Sequence, residues 1–318
     1  MKLGFGTQLW TNYGNNGNFY KMLDELSMLH FDGFEMGFND RPAQLKELLD
    51  IHRLEVSGCY KGINYKNPDL LKEGIADAKR IIDFYSELEC RNFLLDASIE
   101  KHIWQEERDF KYSYTDDQLK NVAETANMLG EYAINKDMQL AWHTHWGTFF
   151  EVEELFERFW ELTDASLVGL CCDTGQCAIC GYDPVYIIKK YLDRIKYLHY
   201  KDVTFAGRPQ GVLWPHGFKV PNNDGAYAID AKGRWVELGR GIVDFPTITK
   251  IILDAGYNGW IVDDFDFSCY PPMLSAKACK DYINLGLNIW GDMDVFEYKI
   301  KKSKLKKMVS KTKTIPYY

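Results

Sequence analysis

The stretch that decides the fold is Leu140-Ala-Trp-His143-Thr-His145-Trp-Gly147-Thr148. Its apolar residues predict a buried β-strand that ends in a glycine turn. Side chains alternate along a strand, so His143 and His145 are expected on one face and the tryptophans on the other. Two such imidazoles are either a metal ligand beside a proton-transfer group or a pair of hydrogen-bonded core histidines. The choice between these readings depends on the other strands.

Apolar, strand-like runs alternate with amphipathic, helix-like segments along almost the whole chain, which is typical of βαβ units. The predicted strands are Lys2 to Thr7, Gly33 to Phe38, Glu55 to Tyr60, Asn92 to Ala97, Gln139 to His145, Leu167 to Thr174, Ile195 to Val203 and Gly259 to Phe265. The predicted helices are Phe19 to Leu29, Ala43 to His52, Asp69 to Leu88, Asp116 to Asn135, Val152 to Leu162, Pro184 to Leu192, Phe245 to Ala255 and Met273 to Leu287. Eight strands, each followed by a helix, predict an α/β fold of the closed (β/α)8 TIM barrel type.

The chain has 318 residues, of which 46% are hydrophobic, and this is enough for one barrel domain, which we predict over residues 1–290. The connection after the seventh strand, about 204–241, is longer than an ordinary barrel loop and is expected to be a lid or a binding loop. Residues 291–318 form a basic C-terminal extension on an acidic chain. This extension is either a solvated terminal helix or an arm that docks on an acidic partner or a neighbouring subunit.

Charge and hydropathy narrow the expected partners. The net charge of -8 argues against nucleic acid, because phosphate binding needs a basic face. The sequence has no apolar run of membrane-spanning length, and Met1 leads directly into a strand rather than a secretory signal, so we expect a soluble cytoplasmic protein. The 8 cysteines are expected to be reduced thiols. Cys172, Cys177 and Cys180 have the spacing of an iron–sulfur ligand run, which is kept as an alternative.

Ionisable residues gather at the predicted ends of five strands, where barrels of this type carry their active sites. They are Glu35, His143, His145, Asp173, His199, Lys201, Asp264 and Asp266. So many charged side chains would repel one another at one end of a barrel unless they shared a cation. The expected ligands of that cation are His143, Asp173, His199 and Asp264. Two imidazoles and two carboxylates suit one divalent ion, Mn²⁺ first, with Co²⁺, Zn²⁺ or Fe²⁺ as alternatives.

Five segments carry recognisable motifs: Ala-Trp-His143-Thr-His145-Trp-Gly-Thr148, Cys-Asp173-Thr-Gly-Gln176, Leu-His199-Tyr-Lys201-Asp202-Val, Leu-Gly239-Arg-Gly241-Ile-Val-Asp244-Phe-Pro and Ala-Gly256-Tyr-Asn-Gly-Trp260-Ile-Val-Asp-Asp264. They resemble the xylose-isomerase-like sugar isomerases and epimerases, and within that superfamily the inosose dehydratases. The resemblance implies a xylose-isomerase-like barrel whose cation is held by the four expected ligands. It also implies that His145 transfers a proton and that Glu35 and Lys201 lie at the substrate.

Three further residues, Gln176, Trp146 and Asp266, are expected to contact substrate. Two positions depart from the family pattern. The eighth-strand ligand is usually glutamate, and Asp264 is one methylene shorter. The sixth-strand motif usually ends in histidine, and Gln176 cannot carry a proton at neutral pH. These departures leave room for a different substrate or a different step.

The expected reaction is proton removal beside a ketone, followed by β-elimination from a keto-polyol or keto-sugar. A divalent ion would stabilise the enediolate, and His145 is the expected base, with Glu35 as the second candidate. One alternative is a lyase that cleaves 3-keto glycosides, like the catalytic subunit of C-glycoside deglycosidases. A ketose 3-epimerase or isomerase and a non-catalytic sugar-binding barrel are the others.

Aromatic residues near predicted loops and strand ends are Trp10, Tyr13, Phe149, Phe150, Trp214, Phe218 and Phe267. They either line a pocket for a planar aglycone or pack the barrel loops. The expected ligand is a small keto-sugar or keto-cyclitol. We also expect a homo-oligomer, with a small partner subunit as an alternative.

Overall fold

The structure is a computed structural model of the chain, and it describes residues 1–12, 19–37, 44–98, 114–204, 234–266, 268 and 270–289. Most of the predicted loop 204–241 and the basic extension 291–318 lie outside these ranges. Four of the aromatic residues singled out above also lie outside the described residues: Tyr13, Trp214, Phe218 and Phe267.

Parallel strands form the centre of the fold. The strands are β1 (Lys2–Gly6), β2 (Gly33–Gly37), β3 (Glu55–Ile63), β4 (Asn92–Ala97), β5 (Gln139–His143), β6 (Val168–Asp173), β7 (Ile195–Tyr200), β8 (Asp202–Thr204), β9 (Arg234–Val236) and β10 (Trp260–Asp263). Eight of them close into a barrel in the order β1-β10-β7-β6-β5-β4-β3-β2, and β8 pairs with β9 as a separate antiparallel ribbon. The predicted (β/α)8 TIM barrel is therefore confirmed.

Helices connect the strands and pack on the barrel, as α4 does on β3 and α5 on β5. The α-helices are α1 (Gln8–Asn12), α2 (Phe19–Met28), α3 (Leu45–His52), α4 (Pro68–Ser86), α5 (Asp116–Ile134), α6 (Glu153–Leu162), α7 (Thr174–Ile179), α8 (Pro184–Lys190), α9 (Phe245–Asp254) and α10 (Pro272–Asp281). Asn67 caps α4 through its side chain, and Thr115 and Gln118 form a capping box on α5. Within the described residues no helix has the length and apolarity needed to span a membrane.

Three differences from the predicted elements lie at the carboxyl end of the barrel. The fifth strand ends at His143, two residues earlier than predicted. The seventh strand ends at Tyr200, because Lys201 turns aside to bond both its N–H and its C=O to the Thr174 hydroxyl. A short helix, α7, which was not among the predicted helices, follows β6, since the Asp173 carboxylate accepts a hydrogen bond from Gln176 N–H and so caps it.

The barrel interior below this end is apolar. A cluster of buried side chains fills it: Leu94, Ala141, Cys171, Tyr197, Trp260 and Val262. Phe149 and Phe150 belong to the larger core on the other side of the strands, where Phe149 packs against Trp142 at a ring-centroid distance of 5.4 Å. These two phenylalanines therefore have a packing role, which was one of the two expectations for the aromatic residues. The charged residues at the strand ends therefore lie next to a layer of apolar side chains inside the barrel.

Candidate metal centre and active site

Four side chains meet at the carboxyl end of the barrel. They are His143 at the end of β5, Asp173 at the end of β6, His199 in β7 and Asp264 directly after β10. Each offers one nitrogen or oxygen atom, and these four atoms lie within 4.8 Å of one another, with all four residues buried. The structure therefore brings together the four residues that the sequence assigned to one ion.

The distances among these atoms match a shared ion. His143 Nε2 lies 3.1 Å from His199 Nδ1, and Asp173 Oδ2 lies 3.6 Å from each of these two nitrogens. Asp264 Oδ2 is also 3.6 Å from His199 Nδ1. Two ligands bound to one ion at about 2.1 Å are separated by roughly 3.0–3.4 Å when the angle between the bonds is 90–109°. The spacing is close to that range.

The outer nitrogen of each imidazole faces a second carboxylate. His143 Nδ1 lies 3.2 Å from Asp96 Oδ2, and His199 Nε2 lies 2.7 Å from Glu35 Oε2. The carboxylate accepts a hydrogen bond from the N–H on that side, so in the neutral form of each ring the opposite nitrogen has a lone pair directed toward the other ligands. Both histidines are thus oriented as metal ligands commonly are.

Among the described residues, two carboxylate oxygens in the cluster have no hydrogen-bond partner. They are Asp173 Oδ2 and Asp264 Oδ1, and both are buried. The other Asp173 oxygen accepts the α7 backbone N–H, so only Oδ2 is available to an ion. A Cβ at Gly6 would lie 2.9 Å from Asp264 Oδ1, so glycine at this position leaves that oxygen clear. Buried carboxylate oxygens left unpaired are costly, and a divalent ion fits the space and the chemistry of these donors.

Electrostatics in the cluster reflect its crowding of opposite charges. Burial alone would lower the pKa of His143, but Asp173 and Asp96 beside the ring raise it to about 9. The pKa of His199 is also raised, because Cys171, Glu35 and Asp264 outweigh the effect of burial. Burial would raise the pKa of Asp173, yet Lys201 and the two histidines hold it well below its usual range. The cluster therefore contains a charged carboxylate that attracts cations.

Lys201 lies at the edge of the cluster and is buried. Its Nζ is 2.8 Å from Asp264 Oδ2 and 2.6 Å from Asp266 Oδ2, and it lies 4.6 Å from the ring centroid of Trp235. The two carboxylates raise the lysine pKa despite burial, which would lower it. Burial raises the pKa of Asp266 to about 6, while Lys201 acts in the opposite direction. Lys201 thus carries a fixed positive charge beside the four ligand residues.

His145 lies just beyond the end of β5, half-buried, with its ring centroid 5.6 Å from that of His143. Its Nδ1 is 2.6 Å from the carbonyl oxygen of Trp146. A carbonyl only accepts, so Nδ1 carries the proton and Nε2 has the lone pair. Burial lowers the pKa of His145. The ring is therefore neutral at neutral pH and able to accept a proton.

The remaining expected substrate residues contact each other. The backbone N–H of Trp146 donates to Gln176 Oε1 at 3.3 Å, and both side chains are buried. The contact fixes the turn after β5 against α7. The role of Gln176 and Trp146 in substrate binding stays a prediction, as do the roles of Glu35, Lys201 and Asp266.

Sequence reasoning missed Asp96, which bonds the outer nitrogen of His143 and also lies 3.3 Å from the Tyr60 hydroxyl. The available signal was a carboxylate at the end of the otherwise apolar strand β4. It also missed Cys171, which forms a second potential metal-binding group with His143 and His199. Among the described residues, neither of the two potential metal-binding groups contains Cys172, Cys177 or Cys180, the cysteines of the iron–sulfur alternative.

Comparison with known proteins agrees with this fold. A family model described as xylose isomerase-like TIM barrel matches residues 23–265. The inosose dehydratase of Lacticaseibacillus casei is 27% identical over 311 residues, covering 91% of this chain and 98% of its own. That of Clostridium beijerinckii (strain ATCC 51743 / NCIMB 8052) is 29% identical over 301 residues, covering 89% and 96%.

Two solved structures share the fold at low identity. An L-ribulose 3-epimerase is 17% identical, covers 99% of each chain and has a TM-score of 0.66. A xylose isomerase-like TIM barrel protein from Mycobacterium smegmatis, solved in complex with magnesium, is 15% identical and has a TM-score of 0.67. The match covers 91% of this chain and 96% of that one.

Proposed function

The chain belongs to the xylose isomerase-like TIM barrel family, and on that premise we propose that it is a divalent-metal-dependent dehydratase of a keto-polyol or keto-sugar. The observation that carries the proposal is the buried oxygen Asp173 Oδ2, which has no hydrogen-bond partner among the described residues and lies 3.6 Å from His143 Nε2 and from His199 Nδ1. Asp264 Oδ2 lies 3.6 Å from the same His199 nitrogen. Similarity to the inosose dehydratases over about nine-tenths of the chain supports dehydration as the reaction, with a keto-cyclitol as the substrate class.

The ion would be held by His143, Asp173, His199 and Asp264. When bound, it supplies Lewis-acid polarisation of the substrate's carbonyl and hydroxyl oxygens. Asp96 and Glu35 act one layer further out, where each fixes the ring of a ligand histidine through its outer nitrogen. Mn²⁺ is the proposed ion, because a mixed nitrogen and carboxylate donor set suits it.

His145 is the proposed base, and its Nε2 takes the proton from the carbon beside the ketone. The hydrogen bond from its Nδ1 to the Trp146 carbonyl holds the ring in the tautomer that this step needs. Its partial exposure leaves a path to the substrate, whereas the two ligand histidines are buried behind it.

Loss of water also needs a proton for the departing hydroxide. Asp266 is the proposed donor, because its carboxyl lies beside Lys201 at the edge of the cluster and burial raises its pKa to about 6, so it holds a proton at higher pH than an exposed aspartate does. Lys201 would bind a substrate oxygen and keep Asp264 in place. One proton is removed from carbon and one proton is added to the departing hydroxide, so the step is balanced. The products are one water molecule and one unsaturated or tautomerised ketone.

The test uses purified full-length protein whose metal content is measured before and after treatment with a chelator. The apo and Mn²⁺-loaded forms are each incubated with inosose in D₂O, and the products are followed by mass spectrometry. Loss of one water from inosose by the Mn²⁺ form alone supports the proposal. A protein that binds no divalent ion, and whose melting temperature does not change with Mn²⁺, would contradict the proposal and favour the non-catalytic sugar-binding barrel.

A ketose 3-epimerase is the second candidate. It is favoured by two separate acid–base groups at the site, His145 after β5 and Asp266 after β10, which could remove and return a proton on different faces. The same D₂O experiment with a ketohexose separates the two functions, because an epimerase incorporates one deuterium without losing water. A 3-keto glycoside added to a third sample tests the glycoside-cleaving alternative by release of its aglycone.

A further inference from the structure

Cys171 lies directly beneath the four proposed ligands. It precedes Asp173 by two residues on β6, so both side chains point to the barrel interior. Its neighbours in the sheet are His143 on β5 and Tyr197 on β7. The thiol is fully buried among the apolar residues that fill the barrel. Compared with the four proposed ligands, this inward-facing side chain lies one layer further from the carboxyl end of the barrel.

The sulfur is also close enough to the two histidines to share an ion with them. Cys171 Sγ, one nitrogen of His143 and one nitrogen of His199 lie within 4.8 Å of one another. A thiolate with two imidazoles is a soft donor set, which favours Zn²⁺ or Cd²⁺ over Mn²⁺ or Mg²⁺. The carboxylates of Asp173 and Asp264, nearer the carboxyl end, form a harder set of donor atoms with the same two imidazoles.

We propose that Cys171, His143 and His199 form a second, deeper position for a thiophilic divalent ion such as Zn²⁺. Binding there forms one sulfur–metal bond and releases the thiol proton to solvent, with no change of oxidation state. The inference rests on the same histidines as the proposed function but not on any reaction. It adds a sulfur ligand that the four-residue centre lacks.

The two positions exclude each other. The outer nitrogen of each histidine is bonded to Asp96 or Glu35, so each ring has one nitrogen left for an ion. An ion bound by both of those nitrogens and by Cys171 leaves no histidine nitrogen for an ion at Asp173 and Asp264. Zn²⁺ is therefore expected to displace Mn²⁺ and to leave the protein inactive as a dehydratase.

The test is X-ray absorption spectroscopy at the zinc edge on the full-length protein, stripped of metal and loaded with one equivalent of Zn²⁺. The expected coordination shell contains one sulfur at about 2.3 Å. Cys171→Ser and Cys171→Ala should remove the sulfur. Cys172→Ser is the matched control, because Cys172 lies next along β6 and contacts Cys177 Sγ at 3.8 Å instead of the histidines. A wild-type shell of nitrogen and oxygen alone overturns the proposal, even if the variants do not fold.

Mn²⁺ binding, measured by electron paramagnetic resonance, separates this inference from the proposed function. Mn²⁺ should bind wild type and Cys171→Ser alike, and the Zn²⁺ concentration that displaces half of it should rise at least about tenfold in the variant. Mn²⁺ bound normally with an unchanged Zn²⁺ requirement contradicts the deeper position alone. Failure of the wild type to bind either ion contradicts both the deeper position and the metal-dependent dehydratase.

Discussion

His143 Nε2 and His199 Nδ1 lie 3.1 Å apart, although 56 residues separate them along the chain. The far side of each ring faces a carboxylate, Asp96 for His143 and Glu35 for His199. In the neutral form of both rings the two inner nitrogens face each other with lone pairs, which repel. A proton or a metal ion between them and the neighbouring carboxylates removes that repulsion. The cluster is therefore arranged for a bound positive charge.

The two histidines of the fifth strand should behave differently when removed. His143→Ala should lose the bound divalent ion, because it deletes one of two nitrogen ligands. His145→Ala should keep the ion and lower turnover by about 10²–10⁴-fold, the usual contribution of a general base. Metal analysis and a dehydration assay on both variants check this, with His52→Ala on α3 as a control that should change neither. The opposite pattern would mean that the two roles are interchanged.

Replacement of Lys201 should destabilise the protein. Lys201→Met leaves Asp264 and Asp266 facing each other without their shared cation, and breaking a buried pair in this way costs about 3–5 kcal/mol. Denaturant unfolding gives the change, and added Mn²⁺ should recover more stability in the variant than in wild type. Lys61→Met is the matched control, since the Lys61–Asp77 pair is partly exposed and should cost at most about 1 kcal/mol. Equal losses for the two variants would contradict the electrostatic account.

Asp202 holds the segment that follows β9 against the end of β7. Its Oδ2 accepts the N–H groups of Gly239 and Gly241, and its Oδ1 accepts those of Val203 and Val243. Asp202→Asn places an amide donor against two backbone donors, so we expect a loss of about 2–4 kcal/mol in the free energy of unfolding.

A matched control for Asp202 is Asp244→Asn at the N-terminus of α9. Among the described residues Asp244 accepts only the N–H of Thr247, and asparagine caps a helix about as well as aspartate does. Chemical denaturation of both variants should therefore show a large loss for Asp202→Asn and almost none for Asp244→Asn. A large loss at Asp244 would show that the comparison measures charge removal and not hydrogen-bond polarity.

Asp83 links α4 to α5 and gives a pH-dependent contribution. Its hydrogen bonds with Lys136 and Tyr132 hold its pKa below the ordinary value of 3.8. Because the folded-state pKa is depressed, the contribution is fully present above the ordinary value and disappears as the pH falls through the lowered one. The side chains are largely exposed, so Asp83→Asn should cost only about 0.5 kcal/mol at pH 7. Unfolding curves of the variant and the wild type should differ at pH 7, and the difference should shrink as the pH falls below the ordinary value of 3.8.

The sequence predicts the direction of a side chain where that direction depends on one strand alone. Asp264 and Asp266, two residues apart directly after β10, were both expected at the site, and both contact Lys201. β5 ends at His143, two residues before its predicted end, yet the ring centroids of His143 and His145 still lie 5.6 Å apart, and Trp142 and Trp146 both belong to the larger core on the other side of the strand. Asp96 could not be assigned, since its contact with His143 depends on how β4 and β5 are staggered. Staggering is set by the closed barrel and not by either strand's own sequence.

A crystal structure of the full chain grown with Mn²⁺, with anomalous data at the manganese edge, tests the central claim most directly. The account predicts one strong peak within about 2.2 Å of a ligand atom from each of four residues. They are His143, Asp173, His199 and Asp264. A map at saturating Mn²⁺ with no peak among these residues, or with the ion bound elsewhere, would contradict it.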